Sequence, residues 1–244
     1  IAERVAWAAK LLRVEHLLDR PSRALSGGEM QRVAIGRAIV RRAKLFLMDE
    51  PLSNLDAKLR EELRAELREL ARGLRTPVVW VTHDSVEALS LADRVAVLRE
   101  GRIEQVGTPE EVYFHPVSAH VARQLGNPPF NEITARVVAG AWTAADGTVL
   151  ARAHDGAPPQ ARLGFRAEHV VLESSASDAD GPGGVVEQVE DIGATRIVLV
   201  RWAGITLRAF VERGVELRPG ERVRARVDSR RINIWPSGVD ATRR

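Results

Sequence analysis

No cysteine occurs among the 244 residues, so the chain has no disulfide framework to build on. Its apolar runs are short. Leu45 to Met48 and Val78 to Val81 fall far below the ~20 residues of a membrane-spanning helix. The chain opens at Ile1 with neither an initiator methionine nor a charged-then-apolar leader, which reads as a cytosolic protein trimmed at its N-terminus. Lysine is confined to Lys10, Lys44 and Lys58, and Tyr113 is the only tyrosine. Few groups therefore titrate above neutrality, so a pI of 9.9 accompanies a formal net charge of only +3 and does not point to a nucleic-acid partner. None of the lysines follows a glycine. The phosphate-cradling loop G-x-x-x-x-G-K-[ST] is thus missing from these residues.

What is present supports one large or two ordinary domains, with 45% hydrophobic residues to fill their cores. Val5, Ala9, Leu12 and Leu17 follow helical spacing from Glu3 to Leu18. A second helix is expected from Ser26 to about Arg42, followed by a fully buried strand at Leu45–Met48. Leu55, Leu59, Leu63, Leu67, Leu70 and Leu74 recur at steps of three and four, with Asp56 placed to cap that amphipathic helix. Pro77–Val81 and Val95–Leu98 read as strands, and Asp84 as the cap of a short helix ending near Leu91. This alternation predicts an α/β domain with a mostly parallel sheet over residues 1–125.

At Gly126-Asn127-Pro128-Pro129 the helical period gives way to short strands between Gly, Pro, Asp and Ser turns. Residues 126–244 are expected to form an all-β barrel or sandwich, with Glu173 to Gly184 as a polar connecting loop and Trp202 and Trp235 filling its core. Arg222, Arg224 and Arg226 alternate along one strand, and read as a solvated face rather than as an anion site.

Leu25-Ser26-Gly27-Gly28-Glu29-Met30-Gln31-Arg32 carries the most chemical information. Ser26 and Glu29 form the pattern of a capping box. That pattern leaves unexplained two glycines in the first turn, each costing roughly 1 kcal/mol against alanine. Bare N–H groups at the positive end of a helix suit an anion such as phosphate. Further on, Asp49 and Glu50 stand at the end of a buried strand, where α/β sheets place their ligand crevice. On their own the two residues are equally an acidic turn that ends a strand or a pair of the kind phosphoryl transfer uses, one carboxylate positioning Mg²⁺ and the other orienting or deprotonating water.

Leu25–Arg32 resembles the signature motif of ABC ATPases, Leu45–Glu50 their Walker B strand, Ser53–Asp56 their D-loop and Val81–Asp84 their switch-histidine segment. The resemblance implies a truncated P-loop NTPase domain whose Walker A loop, adenine-stacking aromatic and Q-loop glutamine lie upstream of Ile1. It further implies ATP and Mg²⁺ as cofactors, with Asp49 serving the metal through water, and Glu50 and His83 as catalytic groups. Ser26, Gly27, Gly28 and Glu29 would face the ATP of a partner subunit, with the D-loop Asp56 beside it. Gly126–Asn131 and Gly164-Phe165-Arg166-Ala167-Glu168-His169 resemble the junction and the G-[IF]-R-x-E-H element of the OB-like (TOBE) regulatory β-barrel in importers similar to the maltose transporter.

By that resemblance the chain is the ATP-hydrolysing subunit of a solute importer for sugars or sugar phosphates, and inactive alone for want of Walker A. It would work as a homodimer or with a paired ATPase subunit, against transmembrane permease subunits at the cytoplasmic face of the membrane. An extracytoplasmic solute-binding protein would be an indirect partner. A non-catalytic regulatory module and a soluble nucleic-acid- or ribosome-associated ABC protein are the alternatives.

Overall fold

The computed structural model describes residues 1–41, 43–74, 76–174 and 183–236. They divide into two compact units between Asp93 and Arg94. Among the described residues no helix is long and apolar enough to cross a membrane.

The first unit comprises α1 (Ala2–Leu11), α2 (Gly27–Ile39), β1 (Phe46–Asp49), α3 (Ala57–Leu74), β2 (Val78–Val81) and α4 (Ser85–Leu91). The opening helix is shorter than its periodicity suggests. Arg13 takes a φ of 54° and breaks it, and Glu15–Leu17 continues as a 3₁₀ turn. Ala8, Ala9, Leu12 and Leu17 are nonetheless all buried, because a bent segment satisfies the same apolar spacing. The Arg13 guanidinium then pairs with Glu62 and Glu66 on α3.

β1 and β2 run parallel, with Phe46 opposite Val78 and Asp49 opposite Val81. β1 is not the fully buried strand its composition predicts. Phe46 and Met48 are buried against Ile35, Ile39, Leu63 and Leu67, whereas Leu47 is 74% exposed. The described helices cover one face of this sheet, and the pleat sends Leu47, Val79 and Val81 to the other. The side chains of Leu70 and Leu74, which complete the leucine pattern of α3, lie outside the described residues.

The second unit opens with an antiparallel hairpin, β3 (Val95–Arg99) and β4 (Arg102–Gly107), turning through Glu100 and Gly101 at positive φ. The second strand was not visible as a sequence pattern, and parallel pairing among the described residues is confined to β1 and β2. Two short helices follow, α5 (Pro109–Phe114) and α6 (Ala119–Gln124), capped by Thr108 and Ser118.

The remaining strands are β5 (Asn131–Val138), β6 (Ala141–Thr143), β7 (Val149–Arg152), β8 (Gln160–Phe165) and β9 (Val170–Ser174). After them come β10 (Gly184–Asp191), β11 (Thr195–Trp202), β12 (Ile205–Glu212), β13 (Arg222–Val227) and β14 (Asn233–Pro236). They form two five-stranded antiparallel sheets, ordered β12-β11-β10-β13-β9 and β14-β8-β5-β6-β7, around one shared core. The edge strands of the first sheet, β9 and β12, lie close to each other without a ladder between them among the described residues. One-sided strands serve either architecture, and only the pairing of edge strands, a long-range choice, separates them.

Trp202 lies in this core edge-to-face with Phe165, and Trp142 joins it. Trp235 does not. It is half-buried beside Phe130 and donates its indole N–H to the Pro116 carbonyl at 3.0 Å. The alternating arginines of β13 leave Val223, Ala225 and Val227 for the core, and Arg226 pairs with Glu173 at 3.3 Å. Most of the connecting loop expected between Glu173 and Gly184 lies outside the described residues.

The boundary expected at Gly126 falls inside the second unit, and Arg166 supplies a physical reason. Only 3% exposed, it donates to the carbonyls of Tyr113 (2.9 Å), Ala122 (3.3 Å) and Leu125. Its guanidinium carbon also lies 3.8 Å from the Tyr113 ring centroid and 4.9 Å from that of Phe130. Burial holds the guanidinium below its ordinary pKa. The Tyr113 hydroxyl donates to Glu168 at 2.7 Å, and its pKa is pushed up to about 12 by burial and by that bond. Two helices are thus fastened to the β-rich part through one cation. Arg166→Met strands the three carbonyls and should destabilise the unit by about 3 kcal/mol. Urea denaturation checks this, and an unchanged midpoint contradicts it.

Candidate active site

The site is built where β1 ends. In a continued strand Asp49 and Glu50 would point to opposite faces. Glu50 instead takes a φ of 43°, in the left-handed region that costs a non-glycine residue roughly 1–2 kcal/mol. Four hydrogen bonds hold it there. Its N–H donates to the Val81 carbonyl of β2 at 2.9 Å. Its carbonyl accepts from Gln31 Nε2 at 2.9 Å, Ser53 Oγ at 3.0 Å and Ser53 N at 3.3 Å. The break in alternation puts both carboxylates on one open cleft of ≈ 560 Å³, lined also by Gly27, Met30, Gln31, Ala34, Ser53 and Asn54.

His83 follows β2 and meets the turn from the other side, with Nδ1 2.9 Å from Glu50 Oε1. That hydrogen bond, reinforced by the carboxylate's charge, raises the imidazole pKa above its ordinary value. The segment is held from below by Glu87, a carboxylate only 3% exposed, which accepts from Trp80 Nε1 at 3.1 Å and Thr82 Oγ1 at 2.9 Å. Thr82 Oγ1 in turn accepts the Asp84 N–H at 3.0 Å, and Asp84 Oδ1 caps α4 through Val86 and Glu87.

At the other wall, the capping box is formed in both directions. Glu29 N–H reaches Ser26 Oγ at 3.3 Å, and Ser26 N–H reaches Glu29 Oε2 at 2.8 Å. The backbone donor of Ser26 is the main cause of the lowered Glu29 pKa. The two glycines serve different ends. A Cβ on Gly27 would meet nothing within 4 Å, which leaves the helix terminus open to an approaching group. A Cβ on Gly28 would crowd Leu55 Cδ2 at 3.2 Å and stand 3.6 Å from the Asn54 carbonyl, so this glycine is explained by packing inside the chain.

Asp56 sits at the start of α3, where Oδ1 accepts the Leu59 N–H at 2.9 Å. It does not line the cleft. Of the two carboxylates on the cleft, Glu50 is engaged by His83, and the exposed Asp49 carboxylate is the one left for a divalent cation among the described residues. Among the described residues no set of three His, Cys, Asp or Glu side chains gathers to hold a metal. Mg²⁺ fits only as the companion of a bound phosphate, which supplies most of its oxygen ligands together with water. Reading the sequence assigned no role to Gln31, Ser53 or Glu87, although Asp84 and Glu87 stand at the spacing of a capping pair.

A family profile described as "ABC transporter" matches residues 1–53, and one described as "TOBE domain" matches residues 163–234. The trehalose/maltose import ATP-binding protein MalK of Thermococcus litoralis is 40% identical over 248 residues, covering 96% of this chain and 67% of that protein. The chain belongs to the ABC transporter family. The sn-glycerol-3-phosphate import ATP-binding protein UgpC of Cupriavidus necator is 44% identical, and the chain covers 64% of its length. Among solved structures, cbiO1 from Clostridium perfringens, part of the ABC transporter complex cbiONQ, is 36% identical over 46% of this chain and 44% of that one, with a TM-score of 0.41. The N-terminus of α2, Asp49 and Glu50 lie together in the first unit with His83 bonded to Glu50, and Arg166 lies in the stretch matched as a TOBE domain.

The Glu50–His83 contact has a defined pH dependence. Because the folded pKa of His83 is raised, the stabilisation is fully present below its unfolded value, near 6.5, and is lost as pH rises through the folded one. In an NMR titration the His83 ring should change charge above 6.5 and return toward 6.5 in Glu50→Gln. At the helix terminus, Ser26→Ala removes the cap and should lower stability by about 1 kcal/mol, read by thermal unfolding.

Proposed function

We propose that this chain is part of an ATP-hydrolysing subunit that energises solute import through a membrane permease. The observation that carries the reading is that Glu50 shares one cleft with Asp49 and is bonded to His83, at the C-terminal end of two parallel strands. Glu50 is the general base that takes a proton from the attacking water. His83 orients Glu50 and reaches toward the transferred phosphoryl group. Asp49 would hold Mg²⁺, which when bound would neutralise charge on the phosphate oxygens. Ser26 and the open N–H groups at Gly27 serve an ATP bound mainly by a second ATPase subunit, with Gly28, Glu29 and Asp56 shaping that edge.

The phosphate-gripping loop belongs to a part of the protein outside this sequence, which leaves these residues without hydrolysis of their own. The bare apolar face at Leu47, Val79 and Val81 supports this, since a parallel sheet is normally covered on both sides. Dimerisation, a peripheral place at the cytoplasmic membrane face and an indirect link to a solute-binding protein follow from the importer reading. The names of the relatives, which import glycerol phosphate and trehalose or maltose, favour a sugar or sugar-phosphate cargo.

Calorimetric titration of Mg-ATP into this chain should show no binding at millimolar nucleotide. Joining it to an upstream segment that carries G-x-x-x-x-G-K-[ST] should bring binding and hydrolysis, and Glu50→Gln should then cut kcat by about 10²–10⁴. Micromolar binding to the chain as given, or full activity of Glu50→Gln, defeats the proposal.

A further inference from the structure

We propose that Gln31 is a positioning residue for hydrolysis, its carboxamide tying the signature helix to the Glu50 carbonyl and the Asn54 amide of the same chain. This rests on the ATPase reading above. A primary amide carries a donor and an acceptor on one carbon, and both are used here. Nε2 donates to the Glu50 carbonyl at 2.9 Å, and Oε1 accepts the Asn54 N–H at 3.1 Å. A carbonyl can only accept and an N–H can only donate, so the partners themselves dictate which way the amide points.

Gln31 lies one turn into α2, half-buried, and the packing of Gly28 beneath Asn54 and Leu55 brings the helix close enough for its amide to span the gap. The bond to Glu50 is one of three that its carbonyl accepts, and the other two come from Ser53, inside the same turn. Among the described residues, Gln31 is thus the one side chain from another element that braces this carbonyl. Without it the left-handed turn keeps its bonds to Val81 and Ser53 but loses the one from α2, and a shift toward the strand conformation carries the Glu50 carboxylate away from His83. Ground-state ATP is gripped elsewhere, so the consequence falls on the chemical step.

The test compares wild type, Gln31→Met and Gln31→Glu in the full-length subunit, measuring kcat and KM for Mg-ATP, with amide exchange at Asn54. Methionine keeps the length and loses both bonds. Glutamate keeps only the acceptor, so it should preserve Asn54 protection and still lose the brace on Glu50. Both variants should lose about tenfold or more in kcat, the scale of a misplaced catalytic group, with KM within about twofold. Asn54 exchange should quicken only in Gln31→Met. Should Gln31→Met fail to fold, Gln31→Glu carries the test alone. Wild-type kcat in Gln31→Glu overturns the positioning role, as does a parallel change in kcat and KM. A wild-type protein that hydrolyses no ATP defeats the ATPase reading itself, an outcome distinct from an active wild type with indifferent variants.

Discussion

Glu50 turns the chain out of β1 through a left-handed conformation, and the geometry of the first unit's cleft depends on that turn. A strand presents alternate residues to opposite faces, so adjacent carboxylates share a cleft only if the alternation is broken between them. The break costs backbone energy and is offset by hydrogen bonds from three directions: β2 through Val81, the following turn through Ser53, and α2 through Gln31. The same bond to Val81 aligns the ends of the two strands, which sets His83 opposite Glu50. The carboxylates, the histidine and α2 therefore share one backbone constraint.

The helix terminus illustrates how one short motif can carry two unrelated requirements. Ser26 and Glu29 satisfy the first backbone donors of α2 reciprocally, and Gly27 leaves its side of the terminus bare. Gly28 answers to Leu55 and Asn54 instead. Of a glycine pair that looks uniform in sequence, only Gly28 is therefore required by packing inside the chain.

In the second unit, Arg166 occupies a position in which an unpaired cation would be costly, and three carbonyls and two aromatic faces receive its terminal nitrogens and guanidinium plane, while Nε has no partner among the described residues. Its neighbour in the motif, Gly164, is also accounted for, since a Cβ there would collide with the rings of Phe130 and Trp235. The G-F-R-A-E-H element is thus an internal fastening of this unit. Surface charge plays a lesser part. The β13 arginines stand over a core-facing set of Val223, Ala225 and Val227.

Local chemistry was legible from the residues alone. The Ser26–Glu29 box, the Asp84 and Asp56 caps, the leucine stripe through Leu63 and Leu67, and the short strands between turns in the β-rich part all depend on spacing within a few residues. What spacing cannot encode is which distant group completes a bond. The half-exposure of β1, the bend at Arg13, the separation of the β-rich part into two sheets and the attachment of residues 94–125 to it are settled by contacts between elements far apart in sequence. The same holds for the site. Asp49, Glu50 and His83 could be named from their order along the chain, but the left-handed turn that joins them, and the amide of Gln31 that braces it, exist only once α2, β1 and β2 are packed together.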